Sequence, residues 1–414
     1  MGSFGISKKF AAVSALVASV TFLATMPRAS HDAGASLAIS TPPGPYVGGG
    51  VIPIEVSGTN ARLSVSAVGP GTIVGNRYRV PAIAEPLDAL VVAAVPNAFA
   101  IATLHLVPPP QPGRALVAVA AYESGIVLHD PKTFHVVGIV PIEGAPGDVA
   151  FGAGGTIYAP DTDGTQLFRV DRAPWGVSSL PDVMLGSEVA VDAESGAVFV
   201  SNRDVEGRGA VTRLLHGENM RVITGTTAEG LIEDVPRRKL YVGNINSDDV
   251  VEIDADSMRI LRRFHTLPRP FGLALDGPRR TLAVVSNENA EMPERGGYVA
   301  TYRLDAAGSL LARSARLSFP VGIALDASRQ RYFVTDEDDG VVYVLDERTL
   351  KPRHAPLRAC GVPWMPHVDA ATQRLLVPCA RTNAIAVFDL QTLRQISGSP
   401  FPTGRYPLSV ALSG

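Results

Sequence analysis

The chain is short of the residues that carry most recognisable chemistry. Among its 414 residues are two cysteines and two tryptophans, and aromatics make up only 6%. With so few rings, the core must be packed by Val, Ile, Leu and Ala. Six of the eight histidines, His129, His135, His216, His265, His354 and His367, are spread one to a strand or loop and never reach the spacing of metal ligands. There is no G-x-S-x-G elbow and no phosphate-cradling P-loop, so neither serine hydrolysis nor nucleotide hydrolysis has a motif to rest on. Positive charge is not in excess. A net charge of -3 lacks the basic footprint that phosphate binding needs, which argues against nucleic acid as a partner. Beyond the N-terminal segment no stretch approaches the roughly 18 to 20 apolar residues of a membrane span, so the mature chain is expected to have none.

What is present points to a folded, all-β protein. Hydrophobic residues make up 46% and charged residues 19%, enough apolar surface for large cores, while 40 Gly and 33 Pro without a collagen period imply many tight turns. Residues 1–35 read as a signal peptide, with Lys8 and Lys9 ahead of an apolar run from Phe10 to Met26 and Ala33, Gly34 and Ala35 at a small-residue cleavage site. Retention as an uncleaved anchor is the competing reading, because Pro27 and Arg28 separate the run from that site. The expected location is therefore exported, periplasmic or extracellular. Cys360 and Cys379 can oxidise there, and a hairpin would bring them together as a disulfide. Free buried thiols, or a metal or catalytic role, are the alternatives.

A proline-led phrase returns about every forty residues: PFGLALDGP at Pro270, PVGIALDAS at Pro320, PWMPHVDAA at Pro363 and PLSVALSG at Pro407. More divergent copies start at Pro146, Gly186 and Ala228, which makes seven. Each opens a unit with the pattern of four antiparallel strands. In the copy at Ala228, GLIED is the innermost strand, LYVGN ending at Asn244 the second, VVEIDAD the third and MRILRRFHT the fourth. One such sheet has two apolar faces and cannot bury both alone, so the units must stack around an axis as the blades of a β-propeller. Third strands end in Asp (Asp130, Asp254, Asp346, Asp389) with Thr or Ser three residues later, the chemistry of a turn whose carboxylate accepts from backbone N–H groups ahead of it. The segment from Ala115 to Glu143 supplies three strands without an inner one, and PLSVALSG supplies an inner strand with nothing after it. The expected fold is a seven-bladed β-propeller over residues 114–414, closed by the C-terminal strand.

Residues 36–109 stand outside the repeat and alternate as short strands and turns, as in a small β-sandwich. The stretch GPGTIVGNRYRVPAIAEPLDALVVAAV resembles bacterial immunoglobulin-like domains, and PPPQPG, from Pro108 to Gly113, supplies a stiff linker, residues 110–113, into the propeller. The repeats, through PFGLALD, LYVGN and VLDERT, resemble the YVTN-repeat β-propellers, a group of mostly exported prokaryotic proteins. That resemblance implies fold more firmly than function, because each of its residues has a structural task.

The face where second strands end and inner strands begin is the expected ligand face. It collects Asp161, Asn202, Asn244, Asn287 and Asp336 at second-strand tips, Asp148, Glu188 and Glu229 at inner-strand entrances, and Arg269 and Arg405 just before two copies of the phrase. Such a mouth could hold a divalent cation or an oxygen-rich small molecule, whereas Asn and Asp at these places also cap strand ends. No cofactor is expected, and a divalent cation is the one candidate. Trp364 is read as packing between blades rather than facing the mouth. The functional expectation is an exported binding or interaction protein of the cell envelope, its partner a protein, a polysaccharide or a small molecule. Two enzyme alternatives accompany it. The long fifth blade resembles secreted lactonase-like propellers, for which Glu188, Asn244, Asn287 and Asp336 would be a metal set, and a quinoprotein-like redox subunit would share the fold.

Overall fold

In the computed structural model the described residues are 37–41, 44–58, 63–96, 98–203, 206–288, 296–305 and 308–413; the signal-peptide reading falls outside them. Six four-stranded antiparallel sheets follow one another along the chain, with inner strands at Ala150–Phe151, Gly186–Val191, Ala228–Asp234, Pro270–Asp276, Pro320–Asp326 and His367–Asp369. We number these blades 2 to 7. Blade 1 is composite: its inner strand is Pro407–Leu412, paired antiparallel with Val117–Ala121, which continues into Gly125–His129 and Val136–Val140. The ring thus closes by one C-terminal strand and three strands from the N-terminal side, which gives blade 1 an inner strand like those of the other six.

The register repeats as faithfully as the sequence. The first residue of each phrase pairs with the tip of the second strand: Pro146 with Asp161, Gly186 with Asn202, Ala228 with Asn244, Pro270 with Ser286, Pro320 with Asp336 and Pro363 with Cys379. Outer turns follow the Asp rule. Asp346 Oδ1 accepts from the N–H groups of Arg348 and Thr349, at 3.1 and 2.9 Å, and from the Thr349 hydroxyl. Asp389 does the same with Gln391 and Thr392. These bonds favour the ionised form and hold both carboxyls below the usual carboxylate range.

The N-terminal segment does not stand apart from the ring. Strand Tyr46–Val47 pairs in parallel with blade 1 (Ile139 opposite Tyr46) and with Ala98–Val107, so blade 1 extends into an eight-stranded sheet that also contains Leu87–Val95 and Ser64–Val68. A three-stranded sheet, Val51–Pro53, Arg77–Arg79 and Thr72–Val74, packs in the same core, where Tyr46, Ile52 and Tyr78 meet Val117 and Val119 of blade 1. The linker is fastened as well. Arg172 of blade 2 donates to the carbonyls of Gln111 and Arg114, at 3.0 and 2.7 Å, and Trp175 Nε1 donates to Gly48 O at 2.6 Å.

Candidate functional site

A cavity of about 480 Å³ runs along the axis and opens at the face where the phrases begin. Its walls come from the second and third residues of each phrase, because the ladder between inner and second strand slips there in blades 3 to 6. A β-bulge of this kind releases two residues from pairing and re-aims their side chains. The second residue contributes Gly147, Ser187, Glu229, Phe271, Val321, Trp364 and Leu408; the third contributes Asp148, Glu188, Met365 and Ser409.

The outcome is a cavity with two unlike sides. Blades 1 to 4 supply carboxyls and hydroxyls. Asp148 accepts from Val189 N at 2.9 Å and from the Ser409 hydroxyl, Glu188 accepts from Leu231 N at 2.6 Å through Oε2, and Glu229 takes Arg203 at 3.2 Å together with the Ser187 hydroxyl. From blade 5 onward the inner-strand wall turns apolar, with Phe271, Leu273, Phe319, Val321 and Ile323, and Ile245 of blade 4 joins it; Asn287, Glu337 and His367 are its polar exceptions. The third residue of the phrase explains the change. In blades 4 and 5 it is Gly230 and Gly272, where a Cβ would lie 2.2 Å from Phe271 O and 2.7 Å from Val321 O of the next blade, so no side chain fits.

Asp148 and Glu188 are half-buried by surface, since the cavity touches them, yet lie deep in the molecule. Burial pushes the Asp148 carboxyl up, and burial together with the nearby Asp148 charge pushes Glu188 well above the usual carboxylate range. Burial lowers His367, which also borders the cavity. A carboxyl whose folded pKa is raised contributes stability that is full below its unfolded pKa and is lost as pH rises through the folded one. Glu188→Gln should therefore stabilise the protein increasingly from pH 5 to pH 9, as read from thermal midpoints. An equal loss of stability at both ends of that range would contradict the reading.

The candidate residues divide. Asp148, Glu188, Glu229, Arg269 and Asn287 border the cavity; Asp161, Asn202, Asn244, Asp336 and Arg405 do not. The tips are enclosed and occupied within the blades. Asp161 accepts from Ala145 N at 3.1 Å and Asp336 from Phe319 N at 2.9 Å, each tying down the residue before its phrase. Asn202 accepts from the Thr212 hydroxyl, and Asn244 is bonded to Thr224 and, at 2.7 Å, to Asp249. Arg405 pairs with Glu123 at 2.9 Å. In blade 7 the tip is Cys379, joined to Cys360 by a disulfide. Asn244→Ala should cost about 2 kcal/mol, since it leaves Thr224 and Asp249 short of partners, while leaving ligand binding in the cavity unchanged. Urea unfolding and a binding titration on the same sample check both halves.

The residue after each tip is the one delivered to the mouth. Tyr122, Thr162, Arg203, Ile245, Asn287 and Glu337 all border the cavity, one from each of blades 1 to 6. Asn287 belongs to this ring and not to the tips, because the pairing partner of Pro270 is Ser286. The spacing carries this signal: Gly186 to Asn202 and Pro270 to Ser286 are equally far apart, so Asn287 falls one place beyond the tip. Trp364 also faces the cavity, edge-on to Phe271 with ring centres 6.1 Å apart, and this corrects its reading as a residue packed between blades. The lactonase-type metal set does not assemble: Asn244 and Asp336 are enclosed in their own blades, away from Glu188 and Asn287. Among the described residues no group of three or more His, Cys, Asp or Glu is placed to hold a metal ion.

No family model matches the chain, and no curated protein does. Solved structures resemble it in fold. A putative 6-phosphogluconolactonase from Bacteroides uniformis is 13% identical, with 72% of this chain and 100% of that one covered and a TM-score of 0.57. A second, from Bacteroides fragilis, is 14% identical, with coverage of 74% and 100% and a TM-score of 0.56. The dihydro-heme d1 dehydrogenase NirN is 14% identical, with coverage of 73% and 77% and a TM-score of 0.52. At such identities the likeness is one of β-propeller architecture, and the site must supply the function.

Proposed function

We propose that the protein is an exported binding protein that takes a small amphipathic molecule into its axial cavity. One observation carries this. Of ten buried side-chain polar atoms without a hydrogen-bond partner among the described residues, four belong to residues that border the cavity: Thr162 Oγ1, Arg269 Nε, Asn287 Oδ1 and Trp364 Nε1. Buried polar groups are normally paired, and a cluster of exceptions around one apolar-walled space is what a ligand's own polar atoms would complete. The disulfide supports an oxidising compartment, and no helix among the described residues is long and apolar enough to cross a membrane.

The test uses the chain's tryptophan economy. Trp175→Phe leaves Trp364 as the sole tryptophan, so its emission reports on the cavity. Compounds that raise the thermal midpoint in a small-molecule screen should shift that emission, since a ligand bound only by the folded state stabilises it. Phe271→Ala should weaken them at least tenfold. Hits that leave Trp364 unmoved and ignore Phe271→Ala would place binding elsewhere. A hydrolytic role has one observation in its favour, the elevated Glu188 carboxyl, which could serve as a general acid. A lactone panel, with and without calcium, decides it: turnover lost in Glu188→Gln would replace the binding reading.

A further inference from the structure

The polar side of the cavity is unbalanced in sign. The charged and titratable side chains that border it are Asp148, Glu188, Glu229 and Glu337 against Arg203, Arg269 and His367, with Tyr122 and Tyr406 at the mouth. Arg203 is engaged by Glu229. Asp148 and Glu188 have only neutral donors, a serine hydroxyl and backbone N–H groups of the next blade, and no cation among the described residues reaches either. Two neighbouring carboxyls in a dehydrated space, without a counter-ion, favour a ligand that brings one.

A second, independent observation points the same way. Asn287 is 3% exposed, and its Oδ1 is an acceptor with no donor; Thr162 Oγ1 is unpartnered as well. Both stand in the ring of residues that follows the second-strand tips. An ammonium offers three donors and a positive charge, and so matches these acceptors and the carboxyls in kind, whereas a carboxylate or phosphate matches neither; the two unpartnered donors of the same lining, Arg269 Nε and Trp364 Nε1, call for an accepting atom elsewhere on the guest. The opposite wall, with Phe271, Phe319, Val321 and Trp364, asks for an apolar body, which a polyol lacks. Its aromatic faces are moreover compatible with a cation.

Resting on the binding function above, we propose that the cavity recognises amphipathic amines, with the protonated nitrogen on the Asp148 and Glu188 side and the apolar body against Phe271 and Trp364. Binding then has a proton signature. A cation beside Glu188 favours its ionised form, so complex formation releases protons, and affinity rises with pH until the amine itself deprotonates.

The experiment compares three probes of one shape on the full folded chain: phenethylamine, phenethyl alcohol and phenylacetate. Titration calorimetry in two buffers of different ionisation enthalpy at pH 6 to 8 should give at least tenfold preference for the amine over phenylacetate and a net release of protons. Glu188→Gln should lose at least tenfold for the amine and abolish the proton release, with phenethyl alcohol affected less than twofold; Asp148→Asn provides the same reading should the first variant fail to fold. Binding of phenethyl alcohol or phenylacetate as tight as that of the amine, with Trp364 emission responding, would overturn the amine assignment and leave the cavity reading standing. If none of the three binds and no screened compound moves Trp364, both fail together.

Discussion

A chain that ends at Tyr406 is expected to lose cooperative folding altogether. Pro407–Leu412 is the inner strand of blade 1, paired along its length with Val117–Ala121, and Leu408 and Val410 are 9% and 4% exposed. Removing it bares an inner edge at the one place where the ring is joined, and it strips blade 2 of the Ser409 hydroxyl that holds Asp148. The apolar faces of blades 1 and 7 that meet at Val410, with Val119, Leu376 and Ile385 among them, would be exposed to water. A milder version places one charge in the same core. Val410→Asp should cost about 3–5 kcal/mol, the usual range for an uncompensated buried charge. Urea unfolding followed by circular dichroism checks both. The truncated chain should show a broad, non-cooperative transition and aggregate, and a peptide covering residues 405–414 added in trans should restore part of the sharp one. A truncated protein that still unfolds cooperatively with an unchanged midpoint would show that the ring does not depend on this closure.

Replacing both cysteines by alanine should destabilise the protein by about 3 kcal/mol, the scale expected for a cross-link between residues 19 apart in sequence. The position makes the case more specific. In blades 2 and 6 the tip carboxylate grips the backbone just before the phrase, Asp161 on Ala145 and Asp336 on Phe319. In blade 7 the tip is Cys379, and its covalent bond to Cys360, three residues before Pro363, fastens the same loop. A variant with Cys360→Ala and Cys379→Asp should thus recover about 1 kcal/mol relative to the double alanine, one hydrogen bond in place of a bond between sulfurs. Chemical denaturation of the three proteins, with a reduced wild-type sample as control, reads the order. If the aspartate variant is no better than the alanine one, the equivalence of the two fastenings is wrong.

The architecture was written plainly in the sequence because a propeller repeats it seven times. Periodicity, the turn aspartates and the split between the ends of the chain all come from residues whose tasks are local or nearest-neighbour, and such tasks leave marks at fixed spacing. The site was only partly readable for the same reason. Asp161, Asn202, Asn244 and Asp336 catch the eye by recurring, and they recur for structural reasons: the two acids hold the loop before the phrase, and the two amides bind side chains within their own blades. The cavity is lined by the residues that do not recur: Thr162, Arg203, Ile245, Asn287 and Glu337 occupy one structural position with five chemistries. The bulge that delivers Asp148, Glu188 and Glu229 depends on how two strands slip past each other, for which the phrase itself carries no separate mark. The joining of the N-terminal sheet to blade 1 was equally hidden, since it rests on two residues, Tyr46 and Val47, pairing in parallel with partners far along the chain.

The glycines at the third place of the phrase have a bearing on what this scaffold could become. Where Gly230 and Gly272 sit, backbone carbonyls of the next blade occupy the space of a side chain, so the deep carboxyl position held by Asp148 and Glu188 cannot be repeated in blades 4 and 5 by exchanging single residues. Selection acting by point substitution can retune the acids of blades 2 to 4, swapping acid for amide or hydroxyl, and can resize the aromatic wall. It cannot move the deep pair of carboxyls around the axis into blades 4 and 5. The direction in which a guest must lie is therefore inherited with the main chain, and descendants of this protein would differ in what they hold sooner than in how they hold it.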